Sequence, residues 1–171
     1  MEIVVNDTNI LIDLYNAGLL HFCKQLNLEF RTLDVVMQEI GIDAQQTAIK
    51  QLVLDGTLKI CTLTEKQVAK VFEKVAHYNG VCNLSAEDIS IMVYAIDNNC
   101  RLLTGDKTLR EKAILENVKV SGILFLTDMI TKQNLTDPLS MKMALEKLLQ
   151  SNNRLPKKMI RERIERLEKL I

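Results

Sequence analysis

Residues 1–14 have the sequence MEIVVNDTNILIDL, in which a carboxylate stands at the edge of an apolar run only seven residues into the chain. The apolar run Ile3-Val4-Val5 is typical of a buried strand, and a second apolar run follows the polar segment Asn6–Asn9. Asp7 therefore comes directly after a predicted strand. Ligands of open parallel sheets bind outside the carboxyl ends of the strands. Asp7 is thus either a ligand-binding carboxylate or the N-cap of a helix that begins near Asn9.

Short β-type runs alternate with longer segments of helical spacing along the chain. The predicted strands are Glu2–Asn6, Glu29–Leu33, Thr57–Leu63, Cys100–Thr104 and Val118–Ser121. The predicted helices after the first one run from Thr64 to about His77, from Ser85 to about Asn98, and over Asp106–Glu116, Gly122–Lys132 and Asp137–Leu149. This alternation indicates a parallel sheet with helices on both of its faces.

The composition fits a globular chain with a sizeable core, because 47% of the 171 residues are hydrophobic. Basic and acidic residues balance at 22 each, whereas a tight non-specific nucleic-acid binder is usually basic. A zinc site is not expected, since the four cysteines lie far apart and there are two histidines. No apolar run approaches the roughly 20 residues that span a bilayer. We therefore expect a cytoplasmic protein without membrane association.

Glu39 is an acid in an unexpected environment. Helical spacing places it on the same face as Val35 and Val36, which is the apolar face of a short predicted helix. A lone carboxylate on such a face is costly unless it is paired or bound to a metal. The alternative is a side chain at the edge of the core whose carboxylate reaches water.

For Asp88 and Asp106, a ligand-binding role again has a structural alternative. Asp88 shares a helix face with Ile91 and Met92, although Ser85 and Asp88 also have the spacing of a capping box. Asp106 follows a predicted strand and opens a helix, as Asp7 does, so that an N-cap is again the alternative. Capping and ligand binding can coexist in one carboxylate.

The four acids Asp7, Glu39, Asp88 and Asp106 together favour a metal site. Two of them are predicted at strand ends and two on inward faces of helices. Carboxylates that converge in this way repel one another, and a divalent cation offsets the repulsion. Oxygen ligands suit Mg²⁺ or Mn²⁺, and Mg²⁺ usually keeps several of its waters.

Five segments resemble, in order, the motifs of the PIN-domain nucleases, either toxins of the VapC-like type or a close PIN-like relative. They are VVNDTNILI (residues 4–12), VVMQEI (35–40), LSAED (84–88), LTGDKTLR (103–110) and the strand–glycine–helix segment VKVSGIL (118–124). The resemblance implies a three-layer α/β/α fold whose central parallel five-stranded sheet has the order 3-2-1-4-5. Asp7 and Asp106 would then meet where the order of the strands reverses.

The resemblance also implies a function and a set of site residues. Asp7, Glu39, Asp88 and Asp106 would be catalytic and would bind one or two Mg²⁺ or Mn²⁺ ions, supported by the Thr8 or Thr104 hydroxyl and by Asn9. The activity would be that of a metal-dependent endoribonuclease, in some relatives the toxin of a toxin–antitoxin pair. Expected partners are single-stranded or structured RNA, an antitoxin protein and a second copy of the chain. The alternative is a PIN-like module that binds RNA or protein without cutting.

The C-terminal region departs from the small toxins of this family, which usually end soon after the fifth strand. We divide the chain into a PIN-like nuclease domain (residues 1–132) and a helical extension (133–171). Arg154–Ile171 contains seven basic and three acidic residues, and its apolar residues follow helical spacing. This basic amphipathic helix could bind RNA, form a dimer or pack on the protein's own core.

Three other classes with similar architecture are excluded by motif. A haloacid-dehalogenase-like phosphatase needs a second acid two residues after the first, where this chain has Asn9. A response-regulator receiver needs a phosphoacceptor Asp after the third strand, which here leads into Leu63-Thr64. A P-loop enzyme needs the glycine-rich phosphate-binding motif, which the sequence lacks.

Overall fold

The computed structural model describes residues 1–37, 43–152 and 154–171. Five parallel strands form one sheet in the order β3-β2-β1-β4-β5. They are β1 (Glu2–Asn6), β2 (Leu28–Leu33), β3 (Leu58–Cys61), β4 (Arg101–Leu103) and β5 (Val120–Ser121). Helices cover both faces, so that the predicted three-layer α/β/α architecture and the 3-2-1-4-5 order are confirmed.

The helices begin and end close to the predicted positions. They are α1 (Thr8–Asn16), α2 (Asp34–Met37), α3 (Asp43–Leu54), α4 (Glu65–Tyr78), α5 (Ala86–Asp97), α6 (Lys107–Leu115), α7 (Ile123–Lys132), α8 (Pro138–Ser151) and α9 (Lys157–Glu168), with a 3-10 helix at Leu20–Gln25. The prediction did not include α3. It also made β3 too long, because Thr57 lies in a turn with Asp55 and Thr64 caps α4.

The central strand β1 divides the core into two layers. Val4 and Val5 are both fully buried, and their side chains point to opposite faces of the sheet because successive residues of a strand alternate. Val4 packs in the core layer formed with α1, α3, α7, α8 and α9, and Val5 packs in the layer formed with α4, α5 and α6. Burial on both faces explains the continuous apolar run in the sequence.

The last two helices belong to the same core layer as Val4. Leu148 of α8 and Ile160 of α9 are fully buried within it. An ion pair of 2.6 Å between Arg163 and Asp128 also joins α9 to α7. The described residues of the C-terminal region, 133–152 and 154–171, are therefore packed against the rest of the protein. Among the residues described above, none of the helices combines the length and apolar character of a membrane span.

Removal of the Leu148 side chain tests how firmly this region is integrated. We expect Leu148→Ala to lower the free energy of unfolding by about 2–5 kcal/mol, because it leaves a cavity in the shared core. Urea unfolding, followed by circular dichroism, should remain a single transition. Leu139→Ala, in the same helix but 52% exposed, is the control and should have little effect. A separate early transition in Leu148→Ala would show that the two regions unfold independently.

Candidate active site

Asp7 lies at the carboxyl end of the central strand, next to β4. Its backbone N–H donates to the Leu103 carbonyl at 3.0 Å, which extends the pairing of β1 with β4 by one residue. The side chain is 5% exposed. Its carboxylate accepts hydrogen bonds from the Thr104 hydroxyl at 2.9 Å and from the Asn9 backbone at 3.3 Å. The bond from the Asn9 backbone makes Asp7 the N-cap of α1, which was one of the two roles predicted for it.

Thr104 connects the two acids that follow neighbouring strands. Its fully buried hydroxyl donates to Asp7 and accepts the backbone N–H of Asp106 at 3.0 Å. Asp106 in turn caps α6, because its Oδ1 accepts the Leu109 N–H at 2.7 Å. One hydroxyl group therefore fixes both segments at the point where the strand order reverses.

The carbonyl of Thr104 is held by a third element. Arg110 of α6 donates from Nη2 to this oxygen at 2.8 Å. Gly122, at the start of α7, leaves room for the guanidinium, since a Cβ at this position would lie 3.0 Å from Nη2. The glycine of the strand–glycine–helix segment thus has a packing role beside the site.

Asp88 reaches the same region from α5. It forms a reciprocal capping box with Ser85, in which the Ser85 N–H donates to Asp88 Oδ2 at 3.0 Å and the Asp88 N–H donates to the Ser85 hydroxyl at 3.0 Å. The side chain is half-buried. Each of Asp7, Asp88 and Asp106 therefore caps a helix, so capping accounts for part of the local sequence pattern.

Capping does not occupy all the carboxylate oxygens. Asp88 Oδ1 and Asp106 Oδ2 make no hydrogen bond within the described ranges. Neither atom is enclosed in the protein, so both remain accessible to a ligand. The two carboxylates can consequently cap their helices through one oxygen and bind a cation through the other.

Charge repulsion and burial both act on these acids. Burial raises the pKa of the Asp7 carboxyl above its ordinary value, the hydrogen bonds from Thr104 and Asn9 oppose this rise, and the charge of Asp88 adds to it. Burial also raises the pKa of Asp88, and the charge of Asp106 raises it further against the bonds of the capping box. Asp88 is thus close enough to act on Asp7, and Asp106 close enough to act on Asp88, so the three carboxylates share one electrostatic environment that a cation would stabilise.

The remaining predicted residues have different positions. Glu39 lies outside the residues that the structure describes. Thr8 donates its hydroxyl to the Val36 carbonyl at 2.8 Å, so it joins α1 to the segment after β2. Among the described acids, Asp7, Asp88 and Asp106 form no hydrogen bond with this hydroxyl. Asn9 contacts Asp7 through both its backbone N–H and its side-chain amide, the latter at 3.4 Å.

The donor chemistry of the site fits a hard cation. Within residues 1–37, 43–152 and 154–171, no group of three or more His, Cys, Asp or Glu side chains could hold a metal ion together. An ion bound to the described acids would therefore take one or two of them directly and complete its shell with water, as Mg²⁺ commonly does. The accessible oxygens of Asp88 and Asp106 suit this arrangement.

The sequence profile of the DUF3368 family, described as a PIN domain, matches residues 3–169. The chain belongs to the PIN domain family. It is also 32% identical over 97 residues to the protein named Endoribonuclease Nob1 from Methanocaldococcus jannaschii. That alignment covers 57% of this chain and 47% of the relative, so the chain spans about half the length of this curated relative.

Two solved structures share the fold of this PIN domain. A chain in the crystal structure of VapBC2 from Rickettsia felis, bound to a DNA fragment from their promoter, has a TM-score of 0.51 and 17% identity, covering 70% of this chain and 98% of that one. A chain in the structure of FitAB bound to the IR36 DNA fragment has a TM-score of 0.50 and 16% identity, covering 70% and 94%. At these identities the similarity establishes the fold alone.

Sequence reasoning missed a second acid on α1 of the PIN domain. Asp13 is 3% exposed, and burial raises its pKa. Both of its oxygens accept hydrogen bonds from Asn152 Nδ2, at 3.0 and 3.1 Å. The signal in the sequence was a lone acid within Ile10–Leu14, four residues after Asn9 and on the same helix face. Asn152 itself is 139 positions away, and no local pattern identifies it.

The hydrogen bond from Thr104 can be tested through the titration of Asp7. We expect Thr104→Val to raise the pKa of Asp7 further, because burial still disfavours the charged form and one opposing bond is lost. Above its raised pKa, Asp7 is ionised in the folded protein and lowers the free energy of unfolding. This loss is recovered as the pH falls from the raised pKa towards the ordinary pKa of an aspartate. The pKa is measured from the carboxyl carbon-13 shift by NMR.

Thr127→Val is the matched control for this titration. Thr127 is 1% exposed, like Thr104, but its hydroxyl donates to the Leu124 carbonyl within α7 at 3.0 Å. The control should leave the pKa of Asp7 unchanged. If the pKa of Asp7 stays the same or falls in Thr104→Val, the hydroxyl does not stabilise the ionised carboxylate.

Proposed function

We propose that this PIN domain is a cytoplasmic, metal-dependent endoribonuclease that hydrolyses RNA phosphodiester bonds. The observation that carries the proposal is the arrangement of Asp7 and Asp106 around the Thr104 hydroxyl, at the switch point between β1 and β4, with Asp88 in the same electrostatic environment. The relative named as an endoribonuclease supports RNA as the substrate.

Asp7, Asp88 and Asp106 would hold one or two Mg²⁺ or Mn²⁺ ions, with Glu39 as the fourth acid of the proposed set. A bound ion of this type lowers the pKa of water and offsets the negative charge of the phosphate. Asp7 is oriented by Thr104 and by Asn9, so it needs little reorganisation to present an oxygen. Attack of water on phosphorus with departure of the 3′ oxygen would leave a 5′-phosphate and a 3′-hydroxyl.

The proposal includes protein partners. An antitoxin-type protein is one of them, in line with the complexes in which the two structural neighbours were solved. A second copy of the chain is the other. Val68, Phe72 and Val75 lie on one face of α4 at spacings of four and three residues, and they are 39%, 71% and 36% exposed. An exposed apolar strip of this kind is typical of an interaction surface.

Cleavage of RNA is the direct test of the catalytic proposal. We expect the protein to cut a labelled RNA with millimolar Mg²⁺ or Mn²⁺, to leave 5′-phosphate ends, and to stop when EDTA removes the ion. Asp106→Asn should cut at least about 100-fold more slowly, because a carboxylate that holds charge at the reacting centre is lost. Asparagine is as good an N-cap as aspartate, so α6 should remain folded.

Asp137→Asn is the matched control for capping. Asp137 is the N-cap of α8, with its carboxylate bonded to the Ser140 N–H at 2.9 Å, and it lies outside the candidate site. This variant should cut at the rate of the unchanged protein. Equal cleavage by the unchanged protein and Asp106→Asn would remove Asp106 from catalysis. Binding of RNA without cleavage by either would favour the non-catalytic PIN-like module.

The proposed dimer is tested at Phe72. We expect the protein to sediment as a dimer and Phe72→Glu to sediment as a monomer, because a buried, unpaired charge in the interface is costly. Leu54→Glu is the control, since Leu54 is 80% exposed but lies at the end of α3. A monomeric unchanged protein, or a Phe72→Glu variant that remains dimeric, would contradict this interface.

A further inference from the structure

The region between α8 and α9 forms one wall of a cleft beside the candidate active site. The cleft has a volume of about 240 Å³. The side facing the sheet is formed by α1 and by the segment after β4, and the other side by the end of α8 and the turn that follows it. The lining residues are Asn9, Ile12, Asp13, Asn16, Gly105, Asp106, Ser151, Asn152 and Arg154. Asp106 and Arg154 thus border the same cleft.

The position of Arg154 at the cleft is set by its neighbours. Asn152 donates to both oxygens of the buried Asp13 and accepts the backbone N–H of Arg154 on its own Oδ1 at 2.9 Å. On the other side, Leu155 is 6% exposed and Ile160 is fully buried in the core. Arg154 is therefore held on both sides, by the hydrogen bond to Asn152 and by the buried Leu155, while it is itself exposed.

Positive charge in the C-terminal region is concentrated in the segment that begins at this cleft. The segment Arg154–Arg161 contains four basic residues and no acid, whereas Glu162–Ile171 contains three of each. The first 153 residues carry 15 basic and 19 acidic residues. The acid-rich part of the protein repels a polyanion, whereas Arg154, the first residue of the basic segment, borders the same cleft as Asp106.

Three of these cations are exposed and have no carboxylate partner. Arg154, Lys158 and Arg161 form no ion pair with any residue of the described ranges. Arg163 differs, because Asp128 holds it at 2.6 Å. Lys158 and Arg161 are one turn apart on α9, so the helix advances about 4.5 Å between them. Arg154 borders the cleft, and Lys158 and Arg161 follow it four and seven positions later in the chain. We call these three cations the row.

We propose that Arg154, Lys158 and Arg161 bind the phosphate backbone of single-stranded RNA and lead it into the cleft beside Asp106. The Asp13–Asn152 contact holds the first cation of the row in place. This inference rests on the proposed function, because it takes RNA as the substrate. It assigns a substrate-binding role to the C-terminal helices and explains how a chain of zero net charge attracts RNA. Backbone contacts of this kind carry no sequence information.

The test measures RNA binding in EDTA, where the proposed cleavage does not occur. The probe is a fluorescent oligouridine of about 12 nucleotides, and anisotropy gives its affinity over a range of salt concentrations. The variant Arg154→Ala/Lys158→Ala/Arg161→Ala should bind about 10- to 100-fold more weakly near 0.1 M salt. The slope of log affinity against log salt concentration should fall by about 2, since each lost single-strand contact contributes about 0.7.

The control variant is Lys24→Ala/Lys50→Ala/Lys119→Ala, which removes three exposed lysines that do not line the cleft. It changes the net charge by the same amount and should leave the salt slope nearly unchanged. Equal losses in both variants would show a general effect of charge and overturn the proposal. An unchanged affinity in the Arg154→Ala/Lys158→Ala/Arg161→Ala variant would also overturn the proposal. So would a protein that uses these cations to bind an acidic peptide but does not bind the RNA.

Different results would contradict the endoribonuclease and the RNA-binding surface. RNA binding that depends on the row, without cleavage when Mg²⁺ or Mn²⁺ is added, would contradict the endoribonuclease and support the binding surface. Cleavage by the unchanged protein, together with full binding by the Arg154→Ala/Lys158→Ala/Arg161→Ala variant, would support the endoribonuclease and overturn the binding surface.

Discussion

The Asp7 carboxylate is almost fully buried at the end of the central strand, and the surrounding contacts of the candidate site follow from this burial. A buried carboxylate is tolerated when hydrogen bonds and opposite charge replace the water that it loses. Thr104 and Asn9 supply the hydrogen bonds, but the charge that acts on Asp7 is that of another acid, Asp88, which increases the cost. A positive charge at this point would therefore stabilise the ionised Asp7 carboxylate, in addition to the hydrogen bonds that it already accepts.

Two different sources of positive charge are proposed for this part of the protein. A divalent ion would act on the carboxylates themselves, while the row of cations that starts at Arg154 would act on the substrate. The contact between Asp13 and Asn152 connects the two, because it attaches the C-terminal turn to the helix that Asp7 caps. The last two helices, which share the core of the sheet, can in this way contribute to the active-site cleft.

The sequence was sufficient to predict the sheet and the acids at its strand ends. Continuous apolar runs predict strands buried on both faces, and Asp7 and Asp106 follow such runs directly. The helix α3 was missed because DAQQTAIKQLVL is rich in polar residues and buries only a narrow face, which includes Ile49 and Leu52. The roles of Thr8 and Thr104 could not be separated, since the direction of each hydroxyl depends on contacts between distant segments. The same reason explains why Asn152 and Arg154 were not predicted at the cleft.

Binding of a divalent cation by the acids around Thr104 can be observed by anomalous diffraction from crystals of the protein soaked in Mn²⁺. We expect an anomalous peak between Asp7, Asp88 and Asp106, about 2.0–2.3 Å from at least one carboxylate oxygen. Saturating Mn²⁺ with no peak at this position, or with peaks only elsewhere on the protein, would contradict it.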